Sequence, residues 1–173
     1  ADAISIDLED AVVEGRKAEA RAAVADWLRQ PHRPSADKLI IVRVNAMDTA
    51  HFAPDVAAVV RPGLDILNLP KPESVDAVRE AVRAIAAAER AHGVPRPVRL
   101  LLNIETPRAL RLAAELARAD ERVMGLQVGL GDLFEPLGIA RREVAAVAQV
   151  LFAVRMAAGE AGIEAYDGAF ANV

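Results

Sequence analysis

The feature that most constrains the fold is an alternation of two periods along the chain. Six short aliphatic runs, "AISIDL" (3 to 8), "KLIIVRVN" (38 to 45), "LDILNLP" (64 to 70), "VRLLLNIE" (98 to 105), "VMGLQVG" (123 to 129) and "GIEAYDG" (162 to 168), are separated by longer stretches of helical character. Runs of this kind read as strands, and their regular spacing with helical stretches predicts parallel β/α architecture. Several runs lack strict polar alternation, as expected of strands covered on both faces.

The intervening segments carry their own start and stop signals. "RKAEARAAVADWLR" is the earliest predicted helix, with Pro31 and Pro34 after its end. In "SVDAVREAVRAIAAAERAHG", Ser74 is the expected N-cap, Val75, Val78, Val82 and Ile85 form a core stripe, and Gly93 is the stop. "PRALRLAAELARA" opens on Pro107, whose missing N–H costs little in a first turn. "RREVAAVAQVLFAVRMAAGEAG" is the longest predicted helix, closed by Gly162.

The repeat is close to the ~30 residues of a βαβ unit. No linker, low-complexity tract or charge block marks a second domain, so residues 1 to 173 read as one. An open doubly wound sheet and part of an eight-stranded barrel both fit this order. A closed barrel typically takes ~250 residues. On the barrel reading the chain, which opens inside a strand and stops just after the sixth, is incomplete at both ends or a shortened paralogue.

Composition narrows the function. The chain is 53% apolar but only 3% aromatic, so its core is built from Ala, Val, Leu and Ile. A net charge of -4, with basic residues scattered among acids, argues against nucleic acid and anionic membranes as partners. Without cysteine there is no disulfide, thiolate metal site or cysteine nucleophile. No apolar run is expected to reach the ~18 residues of a membrane span, and no secretory signal is visible. The expectation is a soluble, cytoplasmic protein.

Chemistry collects at the strand ends. The first run leads into "DLED" with Asp7, Glu9 and Asp10; the second ends with Arg43 and Asn45; the third leads to Lys71; the fourth ends with Asn103 and Glu105; the fifth leads to Asp132. In parallel β/α folds the carboxyl ends of strands build ligand sites together, so these residues are expected to converge. Glu105 and Asp132, with no histidine or cysteine nearby, form a hard oxygen pair suited to Mg²⁺, which binds one or two carboxylates and keeps open positions for substrate. Arg43 matches a substrate carboxylate in bidentate fashion, pointing to a 2-oxo or 2-hydroxy acid. Gly129 and Gly131 in "GLGDL" let the backbone approach a ligand closely.

Plainer roles compete. Glu9 and Asp10 would also serve as acids at the start of the helix near Glu14, Arg43 as a structural partner of the "DLED" acids, Lys71 as an exposed turn lysine, and Asp132 as an N-cap for "LFEPLG". Glu105 resists such an explanation, because a carboxylate beside a buried strand needs a charge partner or a metal. His32, His51 and His92 are assigned no catalytic part.

The motifs "DAISIDLEDAV", "VRVN", "LPKPES", "NIETPRAL" and "GLGDL", in that order, resemble those of the citrate lyase beta-subunit-like proteins of the HpcH/HpaI aldolase superfamily, over nearly the whole chain. The resemblance implies a TIM (β/α)8 barrel, here of about six strands without the family's first strand, last strand and C-terminal lid. It implies carbon–carbon bond chemistry next to a carbonyl with Mg²⁺. Glu105 and Asp132 correspond to the metal ligands, Arg43 to the residue that holds the substrate carboxylate or carbonyl oxygen, and Glu9 and Asp10 to acids near the metal waters. Lys71 joins Arg43 and Glu105 as a substrate contact. Asp10 stands where the pyruvate aldolases of the superfamily carry histidine, so the resemblance is to the acyl-CoA lyase branch acting on citryl-CoA, malyl-CoA or citramalyl-CoA.

The implied partners are an acyl-CoA or acyl-carrier thioester and a 2-oxo acid, in a homo-oligomer. An aldolase on a free 2-oxo acid, a thioesterase on the same site and a non-catalytic metal- and carboxylate-binding subunit are the alternatives.

Overall fold

The computed structural model describes residues 2–30 and 38–168. All six predicted strands form, each shorter than its predicted run: β1 (Ala3–Asp7), β2 (Leu39–Arg43), β3 (Ile66–Leu69), β4 (Arg99–Ile104), β5 (Val123–Val128) and β6 (Glu164–Tyr166). They follow chain order in one sheet, and the β1/β2, β2/β3 and β5/β6 pairings are parallel. A doubly wound sheet requires a point where strand order reverses. None occurs here, so the fold is of the TIM-barrel type over six strands.

The helices are α1 (Lys17–Leu28), α2 (Phe52–Val59), α3 (Val75–His92), α4 (Pro107–Arg111), α5 (Ala113–Ala117), α6 (Leu130–Phe134) and α7 (Val144–Ala161). Ser74 Oγ accepts from Ala77 N as expected of a cap, and Gly93 and Gly162 take the positive φ values, 62° and 70°, that end α3 and α7. Three features depart from the sequence expectation. α2 was not foreseen. The single helix expected from Pro107 is broken at Leu112, whose φ of -98° and ψ of 10° separate α4 from α5. Asp132 lies within α6 and is not its N-cap.

The chain falls into two compact units, Ala1–Leu69 with Glu80–Leu100, and Pro70–Arg79 with Leu101–Val173. In the first unit the β1/β2 register sets Asp7 beside Arg43, and β2/β3 sets Arg43 beside Asn68. Ile40, Val42, Ile66, Leu67 and Leu69 are buried core, and α1 packs on α2. β3 is buried at every position, Asn68 included, which explains its lack of polar alternation. In the second unit Leu102, Ile104, Leu126 and Phe134 are buried, and α7 packs on α5, β5 and β6.

α7 corrects one expectation. Its 18 residues have a mean hydropathy of 1.4, so by length and composition alone this helix reaches what a membrane span needs. Val150, Val154, Ala157 and Ala158 are buried on its inner side, but only 22% of the helix is buried, so packing within the described residues accounts for only part of that apolar character. Val144, Phe152 and Met156 remain exposed on it.

Candidate active site

In the first unit, an acid loop closes around one guanidinium. β1 delivers Asp7 and β2 delivers Arg43 at the same sheet level. Arg43 Nε and Nη2 donate to Asp7 Oδ1 and Oδ2 at 2.8 and 2.5 Å, the two-point match of guanidinium and carboxylate. Nη1 lies 2.8 Å from Glu9 Oε2, and Nη2 lies 3.2 Å from Asp10 Oδ2. The loop is tightened from within, because the N–H groups of Glu9 and Ala11 donate to the Asp7 carboxylate at 2.8 and 3.1 Å.

These contacts set the titration of the pair. Burial alone would raise the Asp7 carboxyl. The hydrogen bond and charge of Arg43, with the two backbone donors, outweigh burial and hold it below the ordinary 3.8. Burial would likewise depress Arg43, but Asp7, Glu9 and Asp10 together raise it further above the physiological range. A group whose folded pKa lies below its unfolded value contributes stability above the unfolded value and loses it as pH falls through the folded one. Wild type is therefore expected to be more stable than Asp7→Asn at pH 7, with the gap closing as pH drops below 3.8. Urea midpoints across pH 7 to pH 3 measure it, and a gap independent of pH would show that the ion pair contributes nothing.

Behind this loop sits a buried polar network that sequence reasoning did not find. Asp55 of α2 is 1% exposed in its side chain. It accepts from Arg21 Nε at 2.6 Å and from Asn45 N and Nδ2 at 2.9 and 2.6 Å. Asn45 Nδ2 also donates to the Leu8 carbonyl. His51 Nδ1 meets Arg21 Nη2 at 3.3 Å, and its Nε2 meets Glu14 Oε1 at 2.7 Å. A neutral ring protonated on Nε2 serves both contacts. His51 and His92, the latter on the Val60 carbonyl, have structural contacts; His32 lies outside the described residues.

The second unit holds the remaining predicted residues. Glu105 follows β4 and is buried, with 4% exposure. Its Oε1 accepts from Asn103 Nδ2 at 2.9 Å. Gly129 N donates to the Ile104 carbonyl, bringing the end of β5 against the end of β4. A Cβ at Gly129 would lie 2.3 Å from Glu105 Cγ and 2.7 Å from Oε1. The glycine therefore makes room for the carboxylate. At Gly131 the space is filled by the Arg141 guanidinium, which also pairs with Glu135 at 2.6 Å.

Asp132, in the first turn of α6, pairs through Oδ2 with Lys71 Nζ at 2.5 Å. Lys71 is only partly exposed and so is no simple turn lysine. It sits between two prolines at φ 50°, the one non-glycine residue with positive φ among those described. Bulky side chains rarely adopt this conformation, and such strain collects at functional sites. Thr106 joins the turn after Glu105 to this segment: its Oγ1 caps α4 at Ala109 N and donates to Glu73 Oε1 at 2.7 Å.

A sequence model of the HpcH/HpaI aldolase/citrate lyase family matches residues 1–173. The chain belongs to this family. Citrate lyase subunit beta of Escherichia coli (strain K12) is 36% identical over 99% of this chain and 57% of its own length. Among solved structures, the citrate lyase beta subunit of M. tuberculosis complexed with oxaloacetate and magnesium is 30% identical, with a TM-score of 0.77 over 99% of this chain and 70% of that one. Protein CitE from Mycobacterium tuberculosis with magnesium, acetoacetate and coenzyme A is 31% identical, with a TM-score of 0.76 over 100% of this chain and 59% of that one. The chain thus spans little more than half the length of its curated relative from Escherichia coli.

The donor set in this HpcH/HpaI chain is of the kind magnesium takes. No group of three or more His, Asp or Glu side chains that could hold a metal ion occurs among the described residues. Mg²⁺ needs no such cage, since one or two carboxylates with water and substrate oxygens suffice. Glu105 and Asp132 are all-oxygen donors, and the Gly129 cradle keeps the Glu105 carboxylate from being crowded out.

Proposed function

We propose that the chain carries the residues of a magnesium-dependent carbon–carbon lyase acting on a 3-hydroxyacyl thioester of the citryl-CoA, malyl-CoA or citramalyl-CoA type. In the cleavage direction the bond between the α- and β-carbons breaks. The hydroxyl loses its proton and becomes the oxo group of a 2-oxo acid, while the bond's electrons pass to the α-carbon, which gains a proton to give the acyl-CoA. The observation that carries this reading is the buried Glu105 carboxylate in its glycine cradle, in a chain whose relatives were solved with magnesium, oxo acids and coenzyme A.

Glu105 and Asp132 are assigned to hold the metal. When bound, magnesium would supply Lewis-acid polarisation of the oxygen on which charge develops. Lys71, paired with Asp132, is assigned to orient that carboxylate and to contact substrate oxygen. Arg43 is assigned to the carboxylate of the 2-oxo acid, with Glu9 and Asp10 as the acids of the catalytic set. Asp10 is 60% exposed in its side chain and makes the longest of the carboxylate contacts to Arg43, so it is the acid that a substrate carboxylate would replace there. The proposal includes a homo-oligomeric assembly in the cytoplasm.

The test is turnover. With Mg²⁺, the protein is expected to release glyoxylate from malyl-CoA or oxaloacetate from citryl-CoA. Asp132→Asn is expected to lower the rate by at least about a hundredfold, beyond the 10- to 100-fold typical of groups that only support a metal ligand. Hydrolysis of the thioester without carbon–carbon cleavage would favour the thioesterase reading. Release of pyruvate from a free 2-oxo acid substrate would favour the aldolase.

A further inference from the structure

We propose that Lys17 is a positioning residue for the acid loop around Arg43, an inference that rests on the reading of Arg43 as the oxo-acid contact. Lys17 opens α1 and would pass for an ordinary surface lysine, yet it is only 8% exposed. Its ammonium donates to the Leu8 and Glu9 carbonyls at 2.9 and 2.6 Å. Taking an ammonium out of water is costly unless polar groups replace the solvent. Here the replacements are two carbonyls of the very loop that presents Glu9 and Asp10 to Arg43.

The same carbonyls tie this lysine to the rest of the loop. The Leu8 carbonyl also accepts from Asn45 Nδ2 at 3.0 Å. The Glu9 carbonyl also accepts from Val12 N at 3.2 Å, and the Leu8 N–H donates to the Arg43 carbonyl at 2.9 Å. The backbone on either side of Glu9 is thus fixed by donors from α1 and from the segment after β2. Lys17 acts on the substrate only through this backbone.

Lys17→Met removes the three donors at nearly constant length. In the presence of Mg²⁺, it is expected to weaken oxaloacetate binding by about tenfold, in the range of groups that support a ligating residue, while Mg²⁺ binding in the absence of oxo acid stays within about twofold of wild type. The chain contains no cysteine, so Lys17→Cys alkylated under denaturing conditions and refolded provides the rescue. An aminoethyl group restores the ammonium and is expected to restore binding; a propyl group of matching length is not. A second readout is independent of the ligand. The ¹⁵N–¹H resonance of Arg43 Nε, assigned by its loss in Arg43→Lys, is expected to shift in Lys17→Met and return on aminoethylation.

Oxaloacetate affinity and an Arg43 resonance both unchanged in Lys17→Met would overturn the proposal. So would loss of the fold in both Lys17→Met and Lys17→Gln, which would make the lysine structural. If wild type binds no oxo acid, the assignment of Arg43 fails, and the resonance alone decides whether Lys17 positions the loop.

Discussion

Replacing Glu105 with glutamine is expected to abolish tight Mg²⁺ binding, lowering affinity by at least about a hundredfold, while the protein stays folded. The substitution keeps the volume of the side chain, so the Gly129 cradle remains filled as before. It exchanges an anionic, acceptor-only carboxylate for a neutral amide, half of which is a donor. Supporting residues around a metal typically account for 10- to 100-fold in affinity, and a direct ligand should exceed that. Isothermal titration with Mg²⁺, or electron paramagnetic resonance with Mn²⁺ in its place, reads the effect. A structural role predicts the reverse pattern: metal binding intact and stability reduced by about 1.5–3 kcal/mol, the scale of a hydrogen bond to a charged group such as that from Asn103. That outcome would end the metal assignment.

The second large effect concerns stability. Asp55→Ala is expected to destabilise the protein by about 3–5 kcal/mol, because it strips the acceptor from a largely buried guanidinium and from two Asn45 donors at once. Asp55→Asn keeps an acceptor oxygen and should cost less. Because Asn45 also holds the Leu8 carbonyl, the alanine variant should loosen the acid loop as well. Urea midpoints measure the stability change, and amide exchange at Leu8 and Glu9 reports the loop. A loss under about 1 kcal/mol, the scale of one ordinary hydrogen bond, would mean that the network is not supporting this part of the fold.

The same kind of signal was legible at Glu105 and missed at Asp55. Both are acids beside an aliphatic run, and both prove to be buried. Glu105 stood out because its run read clearly as a strand leading toward a ligand face. Asp55 lies in "FAPDVAAVV", where Pro54 obscured a helix of only eight residues; proline at the third position is harmless because the first-turn N–H groups have no partner within the helix. The break at Leu112 had no glycine or proline to announce it. Lys17 was hidden for a different reason. Its burial depends on residues 8 and 9 meeting the start of α1 in three dimensions, and local sequence does not encode that contact. The Lys71–Asp132 pair is half legible: both residues stand at predicted strand ends, but their contact depends on a left-handed backbone at Lys71 that the "PKP" pattern does not announce.

The register of β1 on β2 has a consequence for how binding and folding are coupled. Asp7 stands opposite Arg43 in that pairing. A slip of one residue would put Ile6 or Leu8 opposite the guanidinium and turn every side chain of β1 to the other face. Asp7 and Arg43 therefore act as a checksum on strand alignment. A chain paired out of step strands a charge against hydrocarbon and also loses the anion contact proposed for Arg43, so this part of the proposed site is present only in molecules that have aligned correctly.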